Sequence, residues 1–211
     1  MKNIRVEELT VGALDVNCYI VGCDLEKVAV VIDPGADVEN IIAVVKKNNW
    51  TVKMILNTHA HPDHTGANKA LKDKTDAAIF MHKDDLDLLN DPYMLEMIRY
   101  FNLEPSPTPD QFVTDNQSIS FSNSEAFKVI HTPGHSPGGV CFLIGDHLFT
   151  GDTLFRLSIG RTDLSRGNYP TLIDSIKNKL LTLPEQVIVY PGHGERSTIK
   201  DERNLNPFLV G

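Results

Sequence analysis

Thr58-His59-Ala60-His61-Pro62-Asp63-His64-Thr65-Gly66 is the stretch whose reading decides the fold. It packs three histidines and one carboxylate into six residues, from His59 to His64. Neutral imidazole and carboxylate are preferred zinc ligands and also suit iron and manganese. The spacing carries more information than the density. His59 and His61 are two apart, so they cannot share a helix face, where neighbours are three or four apart. In an extended segment, side chains at i and i+2 point the same way. The pair can therefore clasp one ion from a strand end. Asp63 and His64 come from the turn that follows and aim elsewhere, which invites a second ion. Upstream, Val52-Lys53-Met54-Ile55-Leu56-Asn57 reads as a short buried strand. The cluster thus sits at a carboxyl end, where open α/β sheets hold their ligands. Downstream, Thr65-Gly66-Ala67-Asn68 reads as the start of a short helix through Leu71.

Three later segments repeat this grammar of a hydrophobic strand running into a glycine-framed His or Asp. Phe127-Lys128-Val129-Ile130-His131-Thr132-Pro133-Gly134-His135 ends in His135. His147-Leu148-Phe149-Thr150-Gly151-Asp152 ends in Asp152. Val187-Ile188-Val189-Tyr190-Pro191-Gly192-His193-Gly194 ends in His193. Glycine permits positive φ and a close approach of backbone to ligand. One such histidine is ordinarily a satisfied polar residue, but four strand ends delivering seven candidate ligands point to a metal site.

The pattern His59-x-His61-x-Asp63-His64, followed by His135, Asp152 and His193, resembles the metallo-β-lactamase superfamily. Within it, Thr150-Gly151-Asp152-Thr153-Leu154-Phe155 and Pro191-Gly192-His193-Gly194 are most similar to glyoxalase II and its short relatives. The resemblance extends from Asn17-Cys18-Tyr19 to Asn204-Leu205-Asn206-Pro207. It implies a four-layer αββα sandwich, where pattern alone gives only α/β or α+β. It also implies that His59, His61 and His135 hold a first metal, that Asp63, His64 and His193 hold a second, and that Asp152 bridges them. The expected cofactor is two divalent ions, zinc first, with iron or manganese as substitutes. The expected reaction is attack of a metal-bridging hydroxide on a thioester such as S-lactoylglutathione, with Asp63 ligating and orienting it. Asp33, in Ile32-Asp33-Pro34-Gly35, is either a plain turn residue or, as in the family, a carboxylate that hydrogen-bonds a metal ligand.

Substrate is less legible. Arg161, in Gly160-Arg161-Thr162-Asp163, is a candidate carboxylate clamp or a structural arginine tying a loop. Long glyoxalase II enzymes carry a C-terminal helical domain with basic glutathione-binding residues. The sequence stops at Gly211 without it, so weaker binding of glutathione thioesters is expected. The Gly-Arg-Thr-Asp stretch also resembles persulfide dioxygenases with a single iron, which is the alternative reading, beside hydrolysis of another ester or a lactone. Two-zinc β-lactamases usually carry Cys where Asp152 stands, and flavodiiron oxidases need Glu at the position of His61. Ser136 follows His135, but that adjacency makes no base–nucleophile pair.

With 211 residues and 41% hydrophobic content, a single domain over 1–211 is expected. The stretch 90–112 is read as a surface insertion bordering the site, not as a second domain. Net charge −8 argues against a nucleic-acid track, which needs clustered Lys and Arg. No apolar run approaches the ~18 residues of a membrane span, and the N-terminus has no apolar secretory core. Cys18, Cys23 and Cys141 read as reduced core residues, so a cytoplasmic location is expected. A small-molecule thioester is the expected partner, and the sequence says nothing about oligomeric state.

Elements follow the hydrophobic pattern. Strands are expected at Ile4 to Leu9, Cys18 to Val21, Val28 to Ile32, Ala77 to Met81, Ser118 to Phe121, Phe127 to Ile130, Val140 to Ile144 and His147 to Thr150, with Val187 to Tyr190 as the last. Val38, Ile41, Ile42 and Val45 form a helical stripe over Asp37 to Lys47, with Asp37 as N-cap. Helices are also expected at Lys83 to Asn90, Tyr93 to Phe101 and Thr171 to Leu181. Pro105, Pro107 and Pro109 make 104–110 an irregular connector. Trp50, Phe80, Phe127 and Phe142 read as core; His82, His131 and His147 have no assigned role.

Overall fold

The structure is a computed structural model that describes residues 4–210. Its strands are β1 (Ile4–Val11), β2 (Val16–Cys23), β3 (Val28–Ile32), β4 (Thr51–Leu56), β5 (Ala78–His82), β6 (Gln111–Val113), β7 (Ser118–Ser120), β8 (Ala126–His131), β9 (Val140–Ile144), β10 (His147–Gly151), β11 (Leu154–Phe155), β12 (Ser158–Ile159), β13 (Ile188–Pro191) and β14 (Ser197–Thr198). Six form one sheet in the order β1-β2-β3-β4-β5-β6, and six form a second in the order β14-β13-β10-β9-β8-β7. In the first sheet β1, β2 and β3 pair antiparallel, while β3 to β6 run parallel. In the second, β7 to β10 are antiparallel and β13 lies parallel to β10.

Strands buried on both faces read as continuous apolar runs, and β2, buried throughout, is such a strand. Because side chains alternate across it, Tyr19, Val21 and Cys23 enter the core between the sheets, with Phe127, Phe142 and Phe149 of the opposite sheet. Cys18 and Ile20 face the other way, toward α1 (Val38–Lys47) and α3 (Asn68–Thr75), through Ile41, Val45 and Leu71. The outer face of the second sheet packs on α5 (Tyr169–Ser175) and α6 (Ile199–Leu205), through Leu172, Ile176 and Ile199. Helices, sheet, sheet and helices therefore form the four αββα layers. Truncating one of the central phenylalanines to alanine costs about 3–5 kcal/mol.

The helix over 38–47 forms, but Asp37 does not cap it: its φ is +53° and its side chain accepts no bond from the helix. Its carboxylate instead accepts from Gly12 N–H at 2.8 Å, fixing the β1–β2 turn. The turn after β4 winds into a one-turn helix, α2 (Pro62–Thr65), because Pro62 supplies a preset φ at the first position. Residues 83–90 coil as a 3₁₀-helix, and α4 (Pro92–Tyr100) follows, capped by Asp91 accepting from Tyr93 N–H and Met94 N–H. α5 widens into a π-turn over Ile176–Leu180. The strand over 188–191 is not the last. β14 adds an edge to it, and α6 follows with Thr198 as cap. These short, polar segments carry too little apolar periodicity to be read from sequence, as does the β11–β12 hairpin. Trp50, Phe127 and Phe142 are buried and Phe80 is half-buried. No helix among the described residues is long and apolar enough to cross a membrane.

Candidate metal centre

The carboxyl ends of β4, β8, β10 and β13 meet at one edge of the sandwich. There they bring together all seven predicted ligands. His59, His61 and His135 offer ring nitrogens within 4.8 Å of one another, and Asp63, His64 and His193 form a second such group. Asp152 lies between the two. Its Oδ2 is 3.6 Å from His135 Nε2, and its Oδ1 is 3.3 Å from His64 Nε2 and 3.8 Å from His193 Nε2. Asp63 Oδ2 closes the second group at 3.5 Å from His193 Nε2 and 3.7 Å from His64 Nε2.

The hydrogen-bond partners fix which ring nitrogen is free. Thr58 Oγ1 donates its one proton to Asp33 Oδ2 at 2.6 Å, so it accepts from His59 Nδ1 at 3.0 Å. His64 Nδ1 donates to Asp33 Oδ2 at 3.0 Å, and His135 Nδ1 donates to the Arg161 carbonyl at 2.7 Å. His135 Nε2 then accepts from His61 Nδ1 at 2.9 Å, so His59 and His61 keep free lone pairs on Nε2, and His64 Nε2 also points inward. His59 Nε2, His61 Nε2, His64 Nε2 and Asp152 Oδ1 are buried without any hydrogen-bond partner. Unpaired buried polar atoms each cost about 1–3 kcal/mol. Four of them converging from the ends of β4 and β10 are explained by cations, and the donor set of imidazole and carboxylate suits divalent ones.

The glycines around the site are spatial necessities. A Cβ on Gly192 would stand 2.3 Å from Asp152 Oδ1 and 2.7 Å from His64 Cε1. At Gly151, φ +48° turns the chain so that Asp152 enters the centre, and a Cβ there would strike Thr58.

Charge differs between the groups. Burial, with His135 as neighbour, drives His61 down to about 3, and burial likewise lowers His59. Burial works against a charged His64 too, but Asp152, Asp63 and Asp33 outweigh it and raise its pKa. Burial and then the hydrogen bond to Asp63 act in the same opposed way on His193, with a net rise. Asp152 stays well below the usual carboxylate range, because His64 overcomes the effect of its burial.

Of the two readings of Asp33, the structure supports the one that ties it to the site: it accepts from Thr58 N–H, Thr58 Oγ1 and His64 Nδ1. Arg161 places its carbonyl on His135, while its guanidinium forms two bonds to Asp163 at 2.7 and 2.8 Å. Ser136 donates to Asp85, not to a base. Asp85 itself escaped the sequence reading. Fully buried, it accepts from Ala60 N–H, Ser136 Oγ and Gly138 N–H, and so ties the His59–His61 loop to the His135 loop. Asn17 and Tyr19 do the same for the His193 loop: Asn17 Nδ2 donates to the Pro191 and Gly194 carbonyls and Tyr19 to Pro191. Asn17, a lone amide within the apolar run Val16–Cys23, carried a signal legible in the sequence; Asp85, inside Lys83-Asp84-Asp85, carried none. His82 and His131 stack at 4.1 Å and His147 bonds Tyr190, all outside this centre.

Residues 11–193 match the family model described as Metallo-beta-lactamase superfamily, and the chain belongs to that superfamily. Among its relatives, a Haemophilus influenzae protein named hydroxyacylglutathione hydrolase GloC is 36% identical over 210 residues, covering 98% of both chains. The crystal structure of BLEG-1, named a B3 metallo-beta-lactamase, is similar with a TM-score of 0.90 and 40% identity over 98% of this chain and 100% of that one. The structure of TTHA1623 in a di-iron-bound form gives a TM-score of 0.86 and 35% identity over 96% and 100%.

Proposed function

We propose that this protein is a two-metal thioester hydrolase acting on a small hydroxyacyl thioester, with S-lactoylglutathione as the first substrate to test. The observation that carries the reading is Asp152, whose two oxygens face two complete donor groups. His59, His61 and His135 would hold one ion, Asp63, His64 and His193 the other, and Asp152 both. Zinc is the proposed metal. Two such ions supply Lewis acidity and a water acidic enough to ionise near neutral pH.

The chain's own groups do the rest. A cavity of about 410 Å³ opens over His61, Asp63, His135, Asp152 and His193, and admits a carbonyl to the centre. Asp63 lines it and is held ionised against burial by His64 and His193, so it presents an acceptor that orients an attacking water. Phe155, Ile159 and Leu164 also line the cavity and give the reacting carbonyl an apolar surround. Arg161 lines the same cavity, its guanidinium bonded to Asp163. Cys18, Cys23 and Cys141 are free and buried, in keeping with a reducing, cytoplasmic setting and a small-molecule partner.

The test is thiol release from S-lactoylglutathione by zinc-loaded protein, run beside a lactone, a β-lactam and, for the iron-loaded form, glutathione persulfide in an oxygen electrode. Thiol release without oxygen uptake supports the proposal. Oxygen uptake with no thiol release transfers the assignment to a persulfide dioxygenase. Turnover confined to the lactone or the lactam transfers it to that bond, and the BLEG-1 likeness is why the lactam arm is included.

A further inference from the structure

The cavity over the centre does not end at Arg161. It continues into an outer groove of about 410 Å³, and Leu14, Met97 and Arg161 line both. The groove's floor is one face of α4, from which Tyr93, Met97 and Tyr100 project, with Phe101 just beyond the helix. Leu14, at the tip of the β1–β2 turn, faces them. Tyr100 is 81% exposed and Tyr93 48%. Ring-sized apolar surface left open beside a reactive centre marks a binding surface.

The charges along the groove select what lies there. Arg161 is the one cation lining it, and Asp163 already engages its guanidinium through Nε and Nη2; Glu96 adds a negative charge. An arm bearing carboxylates, such as that of glutathione, would meet Glu96 and could gain only a contested guanidinium. An aryl or branched alkyl group would meet two tyrosines, a phenylalanine and a methionine, whose flexible thioether packs well on rings.

We infer that the groove formed by α4 and Leu14 holds the non-reacting arm of the substrate, and that this arm is apolar, an aryl or branched alkyl group. The inference rests on the thioester-hydrolase reading and specifies its substrate class. Because the groove joins the centre along one side, a single arm reaches it from a carbonyl held beside Asp63.

The test uses the zinc-loaded full chain and four thioesters: S-lactoylglutathione, S-acetyl-N-acetylcysteamine, its phenylacetyl counterpart, and S-benzyl thioacetate. The expected result is that one benzyl-bearing substrate exceeds the plain acetyl thioester by about tenfold or more in kcat/KM, mainly through KM. Which one does so shows whether the acyl or the thiol side occupies the groove. The exposed pair Tyr93→Ala/Tyr100→Ala should then erase that advantage, chiefly by raising KM for the benzyl substrate. A preference for S-lactoylglutathione over both benzyl substrates, or a benzyl advantage that survives the double substitution, overturns the inference. Calorimetry with the non-hydrolysable thioether of the same benzyl arm reads the groove without turnover. If no thioester is cleaved yet the thioether binds and the double variant loses it, the hydrolase reading fails and the groove stands. If the thioether does not bind at all, the groove assignment fails on its own.

Discussion

The two ligand groups share Asp152 but are built on different physics. The first, His59, His61 and His135, is buried almost completely, and burial keeps His59 and His61 uncharged. The second mixes Asp63 with His64 and His193, and its histidine pKa values are raised by the carboxylates around them. His193 is the outlying member, its side chain 30% exposed on a loop held by Asn17 and Tyr19. Without an ion, His59 Nε2 and His61 Nε2 of the first group are lone pairs lacking a partner, while His135 Nε2 is bonded to His61 Nδ1. In the second, Asp63 and Asp152 stand 3.3 to 3.8 Å from His64 Nε2 and His193 Nε2 and favour the protonated rings. A metal entering the first group displaces little; one entering the second displaces protons. The first site should therefore fill more tightly, and the second should govern activity.

Asp152→Ala tests what the groups have in common and should have the largest effect. It removes the carboxylate that faces both, so turnover should fall by about a thousandfold or more, with metal content dropping below one per chain. Near-normal turnover in a thiol-release assay would show that the groups work independently.

His193→Ala tests the asymmetry. Elemental analysis should find metal content reduced from two to one per chain, with the first site retained and kcat lowered by about a hundredfold or more. Loss of both metals would mean the groups are not separable as described.

Asp85→Ala and Asp33→Ala probe the supports and should have smaller effects. Asp85 bonds only the loops of the first group, whereas Asp33 bonds His64 directly and His59 through Thr58. Each removal leaves buried donors unpaired, at about 1–3 kcal/mol per group, readable by denaturant unfolding of the metal-free protein. Asp85→Ala should loosen the first metal alone, and Asp33→Ala both. Equal loss of both metals in the two variants would remove the distinction.

This contrast also explains how much was legible in the sequence. The candidate ligands sit at ends of strongly apolar strands and beside glycines, so His59, His61, His135, Asp152 and His193 stood out by local pattern. Asp63 and His64 were read as aimed elsewhere, and the short helix α2 is what turns them. The supports were less visible. Local pattern alone makes Asp33 a turn residue, and only the family resemblance offers it a role at the site; Asp85 sits in a polar run, Lys83-Asp84-Asp85. What makes them supports is contact with residues 25 to 53 positions away, which no local window holds. Likewise β14 and α6 are fixed by pairing and packing on elements already in place, with little periodicity of their own.

The central claim is that one carboxylate serves two metal sites of unequal character. Diffraction from crystals of the zinc-loaded protein, with anomalous data collected at the zinc edge, tests it most directly. The account predicts two anomalous peaks, one among His59, His61 and His135 and one among Asp63, His64 and His193, with Asp152 in contact with both and the first peak the fuller. A single peak at saturating zinc, or two peaks with Asp152 turned away from either, would contradict it.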